Sequence, residues 1–256
     1  MWRASAPGAE EIRLLRRARE RFDLYPLAIH VNYLVNLASL DPAIRRRSIA
    51  CFRGELERAA AIGAEYLVVH PGSHKGHSLE GGIAAFARGL RDAATGLSLG
   101  SLTVLLENTV GCGMQVGGRF EELRAIREEA AGLTNVPVGY CLDTCHLLAA
   151  GFDISGEGGL RETIRQADRV LGIGNVKLVH ANDSKTPPGS RVDRHQNIGE
   201  GYIGKAAFRR ILAHPMLQAK PFILETPADG DGADRRNLEN LKKLCPRSRT
   251  TTTRSS

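Results

Sequence analysis

Val138-Gly-Tyr-Cys-Leu-Asp143-Thr-Cys-His146 is a short apolar run that stops at a carboxylate, with a histidine three places further on. A run of this length, apolar on both faces, suits a buried strand of a parallel sheet. The pattern recurs at 27–30, 66–70, 103–108, 176–183 and 221–226, so the sequence predicts six such strands. Between them, apolar residues return every three or four positions, which predicts helices at 9–22, 42–62, 79–95, 118–131, 158–172, 204–213 and 233–244. Asp41-Pro42 supplies an N-cap and a first helical residue, and Gly63 and Gly132 are expected helix stops.

Strands alternating with helices predict an α/β fold, a TIM (β/α)8-type barrel. Such a barrel has eight strands and the chain supplies six, opening on Trp2-Arg3 and a helix. The first two strands are therefore expected to be lacking, and an internal methionine taken as the start is the explanation favoured here. Residues 1–245 are expected to form a single catalytic domain, and 246–256, rich in Thr, Ser and Arg, a disordered tail.

The net charge of +7 and pI near 9.4 favour a polyanionic partner, because neutralising phosphates releases counterions. Five scattered cysteines (Cys51, Cys112, Cys141, Cys145, Cys245) argue against the disulfide framework of a secreted protein. No apolar run is long enough to span a bilayer, and no signal-peptide core is present. A cytoplasmic, membrane-free protein is expected.

Barrel chemistry sits at the carboxyl ends of strands. Here the six runs end in or reach His30, His70, Glu107, Asp143, His180 and Glu225. A single ionisable group at a strand end is ordinarily a hydrogen-bonded structural residue. Six gathered at one mouth would repel or desolvate one another unless cations compensated. His146, three residues after Asp143, and the pair Asp193 and His195, on one side of an extended segment, bring the expected ligands to nine. Nitrogen and carboxylate donors favour zinc or manganese. Cys141 and Cys145 are expected to pack, His74 to support a ligand from behind, and His77 and His214 to lie on the surface. Gly111 to Gly118 lacks the lysine of a phosphate-binding P-loop and is expected to form a βα loop.

Val69-His-Pro-Gly-Ser-His74, Leu106-Glu-Asn-Thr109, Leu142-Asp-Thr-Cys-His146, His180-Ala-Asn-Asp-Ser-Lys185, Gly189-Ser-Arg-Val-Asp-Arg-His195 and Leu224-Glu-Thr226 follow one another in the order of the endonuclease IV family, which this chain resembles. The resemblance runs from Trp2 to about Thr226. It implies a hydrolase of base-excision DNA repair that cuts the phosphodiester 5′ to an abasic site and leaves a 3′-OH. Three zinc ions per chain are implied, with manganese admissible at one: the first on His30, His70 and Glu107, the second on Glu107, Asp143, His180 and Glu225, the third on His146, Asp193 and His195. Glu107 is then the catalytic bridge between two metals, with a metal-held hydroxide as nucleophile. The implied partner is double-stranded DNA with abasic sites, met by a monomer associated with the nucleoid of a prokaryote.

For DNA contacts, Tyr33 and Leu34 match the family's wedge positions, where side chains replace lost base stacking; the alternative is a buried loop anchor. Arg191 and Arg194 are candidate phosphate contacts, or else solvated surface arginines. Two other functions compete. A metal-dependent sugar isomerase or epimerase barrel would leave His146, Asp193 and His195 without a purpose, and metal stoichiometry separates it. An inactive DNA-binding fragment would keep the basic charge without needing nine ligands.

Overall fold

The structure, a computed structural model, describes Ser5 and residues 7–228 and 230–246. Trp2-Arg3 and nearly all of the expected tail lie outside the described residues. Six parallel strands form the main sheet: β1 (Ala28–His30), β2 (Tyr66–Val69), β3 (Thr103–Glu107), β4 (Val138–Asp143), β5 (Val176–His180) and β8 (Phe222–Ile223), in the order β1-β2-β3-β4-β5-β8. Helices α1 (Ala9–Phe22), α2 (Pro42–Ile62), α3 (Leu79–Ala94), α4 (Phe120–Ala131), α6 (Glu157–Leu171), α7 (Gly204–Ala213) and α8 (Ala233–Leu244) connect or follow the strands, with α2 packed on α3, α3 on α4 and α4 on α6. The architecture is that of a (β/α) barrel, six of whose strands fall among the described residues. None of the described helices is long and apolar enough to cross a membrane.

Local chemistry explains the helix ends. The Asp41 carboxylate accepts from Ala43 N and Ile44 N, both at 2.8 Å, and Gly63 closes α2 in the left-handed conformation at φ 72°. Gly132 stops α4 as expected but without the left-handed turn: it is right-handed at φ −78°, and Leu133 N and Thr134 N close the last turn on Ala130 O. That helix starts at Phe120 and not at 118, because Arg119 is extended at φ −130° and ψ 145° and serves as its N-cap. The run expected as one strand over 176–183 breaks at Ala181-Asn182. Asp183–Ser184 (β6) pairs separately and antiparallel with His195–Gln196 (β7). Helix α5 (Thr144–Ala150) was not expected; all seven of its residues are buried, so it shows no amphipathic period.

Alternation along the strands sorts the core into two compartments. Leu67, Val69, Val104, Leu106, Tyr140, Leu142 and Val179 face the helices and join Phe52, Phe86, Phe120 and Phe208. Val68, Leu105, Cys141 and Leu178 form a second cluster inside the sheet's curve, with Ala28, Tyr66 and Ile223 against it. Between Tyr140 and Cys141 the pairing partner jumps from Val176 to Leu178, a bulge that leaves Lys177 without an opposite residue.

Candidate metal centre

Two residues above every side chain of the inner group but Tyr66 stands a ligand candidate. Ala28 leads to His30, Val68 to His70, Leu105 to Glu107, Cys141 to Asp143, Leu178 to His180 and Ile223 to Glu225. Since strand side chains alternate, each of these six points the way its inner neighbour points, into the mouth. The remaining three arrive by other routes. His146 sits in the first turn of α5, whose N-cap Asp143 accepts from His146 N at 2.7 Å. Asp193 and His195 come in on the loop into β7, with Asp193 Oδ1 3.4 Å from His195 Nε2.

Glu107 is fully buried and faces four imidazoles. Its Oε2 lies 2.9 Å from His30 Nε2 and 3.0 Å from His70 Nε2; its Oε1 lies 2.9 Å from His180 Nδ1 and 3.5 Å from His146 Nδ1. His180 Nδ1 is also 3.0 Å from Glu225 Oε2, and His146 Nε2 is 3.2 Å from Asp193 Oδ2. Burial alone would raise the Glu107 carboxyl, yet His180 and His70 hold it well below its ordinary 4.5. Burial pulls the imidazoles down, and their neighbours more than reverse it: Asp143, Asp193 and Glu107 raise His146 well above 6.5, and Cys141 and Glu107 do so for His180. Asp193, although half-exposed, is lowered to about 2 by His146, which outweighs partial desolvation.

The proton inventory fits a cation. A carbonyl can only accept, so the ring Nδ1–H of His30 donates to Val31 O at 2.8 Å, that of His146 to Asn108 O at 2.9 Å, and that of His195 to Glu225 O at 2.8 Å. A neutral ring fixed in this way aims its Nε2 lone pair at carboxylate oxygens, an arrangement that needs a proton or a metal between them. His146 Nε2 and His195 Nε2 are moreover buried without a hydrogen-bond partner. Donor atoms of His30, His70 and Glu107, of Glu107, Asp143, His180 and Glu225, and of Asp143, His146 and His195 lie within 4.8 Å of one another in each group. The ring N–H held by a carbonyl is the usual arrangement behind metal-ligating histidines.

Three polar residues that the sequence reading left unassigned hold this array. Asn182 Nδ2 donates to Asp143 Oδ2 at 2.6 Å, and its Oδ1 accepts from Glu225 N at 2.8 Å. Asn108 Oδ1 accepts from Asp143 N at 2.8 Å. The Thr144 hydroxyl donates to Asn182 O at 2.7 Å. Asn182 also accounts for the short β8: the backbone N–H of Glu225 goes to its amide and not to a strand partner.

Tyr33 is 87% exposed, which rules out the buried-anchor reading, and Leu34 is half-buried beside it. Arg194 is exposed; its guanidinium donates to Asp193 O at 2.8 Å. Arg191 has a protein partner, donating to Val110 O at 3.2 Å, and its backbone is left-handed at φ 58°. His74, expected behind a ligand, has a buried Nδ1 with no hydrogen-bond partner. His77 is exposed, whereas His214 is half-buried at the end of α7 and accepts from Met216 N. Cys141 and Cys145 are buried, and desolvation pushes both thiols up to about 12. Gly111 to Gly118 forms the β3–α4 loop and pairs with the loop after His70 through Ser73 and Gln115.

A parallel barrel sheet that gathers imidazoles and carboxylates at its strand ends defines a metal-competent TIM-barrel protein, and the profile of the xylose isomerase-like TIM barrel family matches residues 2–245. The probable endonuclease 4 of Solibacter usitatus is 67% identical over 244 residues, covering 95% of this chain and 84% of that protein. The crystal structure of endonuclease IV from Thermus thermophilus superposes with a TM-score of 0.82 at 36% identity, covering 95% of this chain and 84% of that one. The chain belongs to the endonuclease IV family. A D-tagatose 3-epimerase-like protein, at 20% identity and a TM-score of 0.65 over 93% of this chain and 83% of its own, shares the fold alone.

Proposed function

We propose that residues 1–245 form one catalytic domain, a zinc-dependent endonuclease of base-excision repair that hydrolyses the phosphodiester 5′ to an abasic site and leaves a 3′-OH. The observation that carries this reading is the set of Nε2 lone pairs of His30, His146 and His195, each aimed at a carboxylate while Nδ1–H is held by a carbonyl. Three zinc ions would be held by His30, His70 and Glu107; by Glu107, Asp143, His180 and Glu225; and by His146, Asp193 and His195, with manganese admissible at one position. When bound, the metals supply a water made acidic near neutral pH and positive charge for the phosphate oxygens.

The protein's own share is placement. Glu107 turns one carboxylate oxygen toward His30 and His70 and the other toward His180, so it can serve two ions at once. Asn182 holds Asp143 and the backbone of Glu225 in one frame. The buried apolar cluster of Val68, Leu105, Cys141 and Leu178 lies one inward position beneath the ligands of the same strands. Tyr33, exposed on the β1–α2 loop with Leu34 next to it, would enter the gap left by a flipped-out abasic nucleotide. Arg194 can reach a phosphate, and Arg191 can do so only by giving up or sharing Val110 O. The enzyme would act as a monomer on double-stranded DNA, in the cytoplasm and at the nucleoid of a prokaryote.

The test is cleavage of a duplex carrying one abasic site by the zinc-loaded chain and by Glu107→Gln. Strand scission 5′ to the site is expected for the first and a loss of at least about 100-fold for the second, beyond what removal of a supporting residue costs. Equal activity in both rejects the mechanism.

A further inference from the structure

One fully buried carboxylate has no part in the metal array. Asp183 belongs to β6, three residues past His180, and has 0% exposure. Its Oδ1 accepts from Ser184 N at 2.8 Å and Ile203 N at 2.9 Å; its Oδ2 accepts from Gly199 N at 2.9 Å and Gly201 N at 3.1 Å; Gly204 N reaches Oδ2 at 3.2 Å. Five backbone donors on one carboxylate exhaust its lone pairs, so Asp183 has none left for a metal. The donors come almost wholly from the loop that follows β7. Gly201 is shaped to this contact, since a Cβ there would fall 2.5 Å from Asp183 Oδ1 and 2.3 Å from Ser184 O.

That loop matters because of what precedes it. β7 carries His195, Asp193 lies two residues before His195, and among the described residues β7 pairs only with β6. Lys185 N on Arg194 O at 2.9 Å and Tyr202 N on Ser184 O at 2.8 Å continue the same attachment on either side. The segment 193–204 is thus folded around β6, with Asp183 at the centre of the fold-back and Asn237 Oδ1 holding Ile198 N at 2.8 Å beyond it.

We propose that Asp183 is a positioning residue for the third metal: by gathering the N–H groups of residues 199–204 it fixes the chain that presents Asp193 and His195. This rests on the trinuclear reading above. Substitution Asp183→Asn replaces an accepting oxygen by a donating NH2 that faces N–H groups, and Gly201→Ala crowds the same contact from the loop side. Supporting residues of this kind change metal affinity by about 10- to 100-fold.

The experiment titrates zinc out of the full zinc-loaded chain with a chelator of known affinity, counting ions per chain, and follows backbone hydrogen exchange by mass spectrometry. Wild type is expected to hold three zinc ions. Both variants are expected to release one ion about 10- to 100-fold more readily while keeping the other two, with faster exchange in 193–204 and unchanged exchange in β1 to β4. Release of all three ions in parallel, unchanged affinity with unchanged exchange, or unfolding of both variants would overturn the assignment. A wild type holding fewer than three ions would sink the trinuclear reading, and the exchange data would still decide whether Asp183 holds 193–204.

Discussion

Glu107 and its imidazoles form a set of groups whose protonation is mutually determined, and this governs the metal-free protein. His146 and His180 are raised well above 6.5 and His30 is raised too; they stabilise the fold fully below 6.5 and lose that contribution as pH climbs through their raised values. Glu107 and Glu225 are lowered from 4.5, so theirs is complete above 4.5 and is lost as pH falls through the lowered values. The metal-free chain should therefore melt highest between pH 4.5 and 6.5 as far as this cluster decides, with an alkaline decline that zinc abolishes. Calorimetric melting curves across pH, with and without zinc, check it; a metal-free curve flat above pH 6.5 contradicts it. The thiols give a second prediction at this scale. Iodoacetamide at neutral pH should label exposed Cys112 and Cys245 in the native chain and spare Cys51, Cys141 and Cys145, as peptide mapping would show.

At the scale of elements, the strand ends were readable because a parallel strand announces itself as an apolar run and its last inward residue is where ionisable side chains begin. His30, Glu107, Asp143 and His180 each terminate their strand. Less was readable where the partner is a backbone group far along the chain. Asn108 serves Asp143, 35 positions away, and Asn182 serves Glu225, 43 away, so neither amide signals its role locally. Helix α5 was invisible because it is buried all round, and β6 and β7 because two residues carry no period. Helix α2 offers the cleanest elemental test. Asp41→Ala removes two N-terminal hydrogen bonds and should cost about 1 kcal/mol in denaturant unfolding, with metal content unchanged. A loss of zinc in that variant would mean that the cap reaches the site.

For the whole molecule, the +7 charge and the mouth at one end of the barrel act together on a polyanion. Affinity for duplex DNA should fall steeply with salt whether or not an abasic site is present, while Tyr33→Ala should weaken abasic-site DNA selectively and leave the salt slope unchanged. Fluorescence anisotropy with both duplexes separates the two; equal weakening on intact and abasic DNA would make Tyr33 a general contact. The unpaired Lys177 sets a constraint of another kind. Every ligand strand reads as a parity code, and β5 interrupts it, carrying one residue more than its neighbour between Val176 and Leu178 while His180 still pairs with Asp143. Excising Lys177 would leave a regular strand with Leu178 still opposite Cys141 and His180 still opposite Asp143, whereas losing one residue between Leu178 and His180 would turn His180 to the helices without altering a single ligand. Relatives in this family can thus lose the bulged residue and keep the site, whereas a gain or loss of one position between Leu178 and His180 would erase it in a single step.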